Sequence, residues 1–438
     1  SGHYAGHWLG DNFATWDDLR TSIIGIQEFN MFGIPYVGAD ICGFSWNTSE
    51  ELCLRWQQLG AFYTFSRNHN IRGASPQHPA VWSSVAQATR RANLFRYYYL
   101  PYLYSLMFDA SRSGKTVIRP VFFEFPEDEE THSLSFQFMW GHAMMIVPVY
   151  EEKAENVSAY LPPSATWYDI RTVAYDQVDE TGHVILRSPP DKNIPVFVRG
   201  GCIIPRQYPE MTTEESRERP LNLLIAIDQK SGEAKGTFIW DDGESIITNF
   251  DTYNYFEFSV TFKAERYSVR LVIERIRSAE NVAIPNLSKI DIVAYNYVPE
   301  LSSFRVNGKE VKLRIELNHR RLFLYRLNLA LNASTSYEIT WNHTQIATKK
   351  TTTTATTVIG STTPTTTGTI MTTTPTTTAT PSAHNTSTEA TTITTTTSAA
   401  SSISITSTET MTTTSVAHSM TNSHLLMVFL CAPLFFLP

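Results

Sequence analysis

Thr15-Trp16-Asp17-Asp18-Leu19-Arg20-Thr21-Ser22-Ile23-Ile24-Gly25-Ile26-Gln27-Glu28-Phe29-Asn30-Met31-Phe32-Gly33-Ile34-Pro35-Tyr36-Val37-Gly38-Ala39-Asp40 is the stretch that decides the fold. Thr15 with Asp18 three residues on reads as a variant capping box, Asp standing in for the usual Glu, at the start of a helix. Leu19, Ile23, Ile26 and Phe29 recur near one face of that helix, and Gly33 fits the left-handed position beyond its end. Ile34 to Ala39 then reads as a short buried strand that delivers Asp40 at its end. The same grammar repeats downstream. Ser49-Glu50-Glu51 opens a second helix carrying Cys53, Leu54, Trp56 and Leu59 to about Tyr63. A third runs from about Ser83 through Phe95, with a further piece after Pro101 ending at Gly114. Strands alternating with helices at this spacing imply βα units and a parallel sheet or barrel.

After residue 115 the pattern changes to short apolar runs between Pro, Gly and Asp turns: Val117 to Phe125, Ala143 to Tyr150 and Ile194 to Val198. It continues through Leu223 to Ile227, Gly236 to Trp240, Phe256 to Phe262 and Ser268 to Ile273. Asp241-Asp242-Gly243 and Asn307-Gly308 supply turn signals. The fold class is therefore α/β plus all-β, with two β-sandwich domains over 116–205 and 206–343. From 344 to 423 the composition collapses to Thr and Ser with scattered Pro, too poor in apolar surface to offset its ordering entropy. This segment reads as a disordered, mucin-like stalk. Residues 424–438 form an apolar tail too short for the roughly 20 residues of a membrane-spanning helix. Small residues at Ser415 and Ala417, a polar spacer and this tail fit a glycosylphosphatidylinositol anchor signal, with Ser415 as the candidate attachment residue.

The net charge of -7 and the lack of a Lys/Arg stripe leave nucleic-acid binding without support. Sequons begin at Asn47, Asn156, Asn286, Asn332, Asn342 and Asn385, which favours the secretory route and the cell surface. In that compartment Cys42 and Cys53 read as a short disulfide loop, or alternatively as two separate buried thiols. There is no metal-ligand cluster, phosphate loop or nucleotide motif, so no cofactor and no metal are expected.

The most specific feature is Gly6-His7-Trp8-Leu9-Gly10-Asp11-Asn12. An acidic residue after glycine and an aromatic platform suits a carboxyl group at a sugar site, although Asp11 as a turn cap and Trp8 as core is the plainer alternative.

This run resembles the acid/base region of glycoside hydrolase family 31, the group of lysosomal α-glucosidase, maltase-glucoamylase and sucrase-isomaltase. The resemblance continues through Tyr36 to Phe44, Leu52 to Tyr63, Phe65 to Asn70 and Leu100 to Tyr104. Later matches are Arg119-Pro120, Glu124-Phe125-Pro126 and Val198-Arg199-Gly200-Gly201. It implies that residues 1–115 are the C-terminal part of a (β/α)8 catalytic barrel. It also implies a retaining α-glucosidase releasing glucose from maltose-like α-1,4 oligosaccharides, with Asp11 as general acid/base. Such enzymes pair that acid with a carboxylate nucleophile roughly 5–5.5 Å away. By the same resemblance Asp40 and His69 bind glucose hydroxyls. Arg67 either holds the carboxylates or makes a structural ion pair, and Trp8 and Phe44 are either aromatic walls or core.

The family's nucleophile is an Asp in a W-x-D-M-N-E-like block upstream of the acid/base run, and residues 1–438 contain no such block. The expectation is a fragment holding the last two or three βα units, with the nucleophile upstream of Ser1 and no activity by itself. His78 stands where relatives usually carry an acidic residue. Two other readings remain open here: a non-catalytic, carbohydrate-binding or adhesive surface glycoprotein, and an enzyme of the same fold with another specificity, such as an α-xylosidase or N-glycan-trimming glucosidase.

Overall fold

The computed structural model describes residues 5–345 apart from 172–174 and 176. The anchor signal, Asn385, Ser415 and all of the expected stalk beyond Gln345 lie outside the described residues. Residues 344 and 345 are not stalk, because the last strand, Ser336–Gln345, runs through them.

Helix α1 spans Trp16–Met31, and the Thr15 hydroxyl accepts from the Asp18 N–H at 3.0 Å. The reciprocal half of the expected box is different: the Asp18 carboxylate accepts from the Phe13 N–H. The Thr15 N–H is already engaged by the Phe13 carbonyl at 2.8 Å, so the carboxylate reaches one step further back. Gly33 takes φ +82, and the Ile34 N–H returns to the Phe29 carbonyl at 2.8 Å to close the helix.

The strand expected over Ile34 to Ala39 resolves into two short pieces. With β1 at His7–Trp8, β2 at Val37–Gly38, β3 at Asp40–Ile41 and β4 at Arg67–Asn68, β1 pairs in parallel with β2 and β3 in parallel with β4. Asp40 thus opens β3 instead of ending a longer strand. The change of partner falls at Gly38, where the Phe65 carbonyl comes so close that an added Cβ would stand 1.9 Å from its oxygen.

Helix α2, Glu50–Gly60, is capped by Ser49 and stops short of the expected Tyr63. Buried Arg96 explains the stop, since its guanidinium takes the carbonyls of Ala61, Tyr63 and Thr64. Arg96 belongs to α3, Ser83–Tyr98, which outruns Phe95 by three residues, and α4 follows at Leu100–Ser113 with Gly114 at φ +69.

These helices pack against an antiparallel sheet ordered Ile118–Arg119, Phe138–Trp140, Met144–Ile146, Val196–Arg199 and Trp167–Asp169. Leu19, Ile23, Val37 and Trp56 share one continuous apolar core with Trp140, Met144 and Phe197, so no break in packing falls near residue 115. The Asn30 side-chain oxygen accepts from the N–H groups of Val117 and Ile118 at 2.9 Å each. Buried Arg55 donates to the carbonyls of Ala154 and Ser188, and the Trp140 indole to that of Phe62.

A second core, with Phe238, Phe256, Phe262 and Trp341, lies within a 12-stranded sheet. Strand Cys202–Gln207 already belongs to that sheet, pairing antiparallel with Leu221–Ala226. Asn307 and Gly308, at φ 49 and 75, make the expected two-residue turn between Arg305–Val306 and Lys309–Glu310. Cys42 and Cys53 are joined as a disulfide, and Cys202 is buried with its thiol pushed up to about 12 by burial.

Gly38→Ala is expected to lower unfolding free energy by about 2 kcal/mol or more, because the Phe65 carbonyl belongs to a packed backbone with little room to yield. Denaturant unfolding of both proteins checks this, and equal midpoints would contradict the close approach.

Candidate functional site

Gly10 at φ +97 turns the chain out of β1, and Asp11 follows on an exposed bend. The next residue fixes this bend in space. Asn12 donates its side-chain amide to the Asp40 carbonyl at 2.9 Å and accepts from the Asp40 N–H at 3.3 Å, mimicking a strand partner. The Asn12 carbonyl in turn accepts from the N–H groups of Phe44 and Ser45, at 2.8 and 2.9 Å. The loop bearing Asp11 is therefore sewn to both ends of the segment from Asp40 to Ser45.

Asp40 has no exposed surface, and its Oδ1 receives Arg67 through Nε at 2.9 Å and through Nη2. Its Oδ2 and the indole Nε1 of Trp8 are both buried and form no hydrogen bond of full geometry, although the Trp8 N–H acts on the carboxylate as a nearby donor. Burial raises the Asp40 carboxyl above the usual aspartate range, and the Arg67 guanidinium, with smaller help from His69 and Trp8, opposes that rise. The Arg67 guanidinium also lies over the rings of Trp8 and Phe65, at 5.6 and 5.1 Å.

Aromatic rings close the group. Trp8 meets Phe44 edge-on at 6.0 Å between centroids, and Phe44 meets His69 at 5.4 Å. Five residues singled out from sequence (Trp8, Asp40, Phe44, Arg67 and His69) thus come together, and Asp11 borders them through Asn12. Ring walls, a buried carboxylate and an exposed carboxylate on a fixed loop are groups that can hold a polyol and exchange a proton with it.

Two supporting residues went unnoticed in the sequence. Asn12 is one. The other is buried Gln77, whose side-chain amide donates to the carbonyls of Ile41, Gly43 and His69, binding β3 and β4 to one another. His78, flagged from sequence, is the exposed neighbour of this residue. An amide following a candidate acid, and an amide beside two prolines, were the available signals. The Cys42–Cys53 disulfide ties the loop after β3 to α2. Asn47, Asn156, Asn332 and Asn342 are exposed and Asn286 is half-buried. Among the described residues no group of three or more His, Cys, Asp or Glu could hold a metal, and no helix is long and apolar enough to cross a membrane.

Comparison with known proteins finds two matches to one family. Residues 1–106 match the glycosyl hydrolases family 31 TIM-barrel domain, and residues 114–204 match the family 31 C-terminal domain. Lysosomal alpha-glucosidase of Bos taurus is 46% identical over 259 residues, covering 56% of this chain and 27% of that protein. Probable maltase-glucoamylase 2 of Homo sapiens is 48% identical over 267 residues, covering 60% of this chain and 10% of that protein. The chain thus spans well under two thirds of either relative. Among solved structures, a glucosidase II alpha subunit (Glc1Man2-bound) superposes with a TM-score of 0.68 at 24% identity, covering 77% of this chain and 38% of that one, a likeness of fold.

Removing the Asp40 counter-charge gives a signed test. A carboxyl whose folded pKa is raised stabilises the fold below its unfolded pKa and loses that contribution as pH rises through the folded value. Arg67→Leu raises the Asp40 pKa further. The variant is expected to lose about 3 kcal/mol at neutral pH and to recover part of it as the pH falls towards about 4. A pH series of denaturation midpoints checks this, and a loss independent of pH would contradict it.

Proposed function

Since residues 1–106 and 114–204 carry its barrel and C-terminal domains, the chain belongs to glycosyl hydrolase family 31, and from that premise we propose that it is the acid/base-bearing part of a retaining α-glucosidase acting on maltose-like α-1,4 oligosaccharides. The observation that carries this reading is Asp40: one oxygen is committed to Arg67, and the other is buried without a full hydrogen bond, the Trp8 indole N–H being its nearby donor. A buried acceptor left open is costly unless a ligand fills it, and a glucose hydroxyl supplies the missing proton donor. His69 is assigned a second hydroxyl, and Trp8 and Phe44 the apolar faces of the ring. Arg67 opposes the rise that burial imposes on the Asp40 carboxyl.

Asp11 is assigned the general acid. Protonated, it gives its proton to the glycosidic oxygen as the bond to the anomeric carbon breaks, and then takes one from the water that releases the sugar. The nucleophile is proposed to stand on a segment upstream of Ser1. To the same proposal belong 1–115 as the C-terminal part of a (β/α)8 barrel, the two stretches from there to Gln345 as β-sandwiches with the second beginning at Cys202, and 346–423 as a glycosylated stalk. Residues 424–438 complete it as a lipid-anchor signal with Ser415 as attachment point. The sequons and the Thr/Ser-rich composition support a protein of the secretory pathway, displayed at the cell surface.

In the full-length protein, Asp11→Asn is expected to lower kcat/KM for maltose by about 100-fold or more. A glucosyl fluoride, whose leaving group needs no proton, should suffer far less, and the unfolding midpoint should stay put. Maltose turnover near that of the unmodified protein would sink the assignment. Phosphatidylinositol-specific phospholipase C is expected to release the protein from intact cells; retention alongside a released anchored control would overturn the anchor.

A further inference from the structure

Two aromatic side chains beside Asp11 have no packing reason to be where they are. Phe13 and Trp46 are 41% and 63% exposed, yet their rings meet at 4.5 Å between centroids. Phe13 lies two residues beyond Asp11, and Trp46 two residues beyond Phe44. Their backbones are zipped together: Phe13 bridges Ser45 in parallel, the Ala14 N–H donates to the Ser45 carbonyl at 2.9 Å, and Asp18 holds the Phe13 N–H. Trp46 is moreover held at φ 70, a left-handed conformation that a bulky residue adopts only when its surroundings impose it. The fold therefore fixes an exposed ring pair whose members stand two residues along the chain from Asp11 and from Phe44.

Resting on the assignment of Asp11 as general acid, we infer that Phe13 and Trp46 form a platform for the sugar rings on the leaving-group side of the cleaved bond. The acid must touch the glycosidic oxygen, so the departing sugar lies on the far side of Asp11 from the glucose held by Asp40. Phe13, two residues beyond Asp11, and Trp46, two beyond Phe44, are the exposed rings that follow the acid and the ring wall along their paired segments. Glucose units in α-1,4 linkage present C–H faces that cover aromatic rings, and two rings in contact can carry successive units. The ligand class is thus a maltooligosaccharide longer than two units, and the platform sets chain-length preference.

The test compares substrates in the full-length protein. Trp46→Ala and Phe13→Ala should each lower kcat/KM for maltotetraose about 10-fold, chiefly through KM, because a ring removed from a sugar face forfeits its apolar burial. Trp46→Phe should restore much of the loss. Hydrolysis of an aryl α-glucoside, which has no sugar in the leaving group, should be unchanged. An equal loss on both substrates, as for rings that merely pack against another part of the protein, overturns the platform; so does no loss on either. Should the unmodified protein hydrolyse nothing, the functional reading fails, and calorimetric titration with maltotetraose decides the platform separately. Binding weakened by Trp46→Ala upholds it, whereas binding that is absent or unaffected overturns it.

Discussion

Burying the Asp40 carboxylate against a single guanidinium is the constraint around which the candidate site is arranged. A carboxylate with no exposed surface carries a desolvation cost that only a close cation and fixed dipoles can offset. Arg67 supplies the cation from the adjacent strand, which requires β3 and β4 to stay in register. Gln77 enforces that register by spanning the carbonyls of Ile41, Gly43 and His69. The rings of Trp8 and Phe65 hold the guanidinium from its own side. Asn12 then uses the backbone of the same residue as an anchor for the loop of Asp11. Each support acts through the position of one buried charge.

Beyond the shared apolar core, buried cations that donate to carbonyls tie the segments of this part of the molecule together. Arg55 and Arg96 are the clearest cases, each buried and each spending its donors on loop or helix-end carbonyls. Burial lowers both to about 10, which still leaves them cationic at neutral pH. Such bonds are insensitive to salt compared with exposed pairs and fix the direction from which each segment arrives. In the larger sheet the same role falls to an ion cluster. Asp291 accepts from Arg206 and Arg321, and these two cations hold its carboxyl below the usual range although burial alone would raise it.

Much of this was legible in the residues. The ends of α1 and α4 followed from Thr15, Gly33 and Gly114, because caps and left-handed glycines act within a few residues of themselves. The Asn307-Gly308 turn and the Cys42–Cys53 pairing were readable for the same reason. The splitting of the strand before Asp40 was not, since it depends on a carbonyl 27 residues downstream in sequence approaching Gly38. The early stop of α2 was hidden similarly, because its cause sits on α3. Of the site, the residues with recognisable chemistry were found, whereas Asn12 and Gln77 were missed. Their side chains act on backbone atoms far along the chain, and no spacing rule reports that. Phe13 and Trp46 were overlooked because an aromatic residue in a mixed sequence ordinarily signifies core.

The disulfide gives the loop between Cys42 and Cys53 an unusual freedom. Its two ends are pinned covalently, one to the strand that begins with Asp40 and the other to a buried turn of α2. Gly43 fixes the way in, since its Cβ position is blocked by the Ala14 backbone at 2.4 Å. Between those fixed points Trp46, Asn47 and Ser49 face solvent. Such a segment can act as a cassette at Trp46 and Asn47, whereas Ser49 is held to its role as the cap of α2. Changes at Trp46 and Asn47 would therefore reshape the surface between two fixed points and leave the strand that begins with Asp40 where it is.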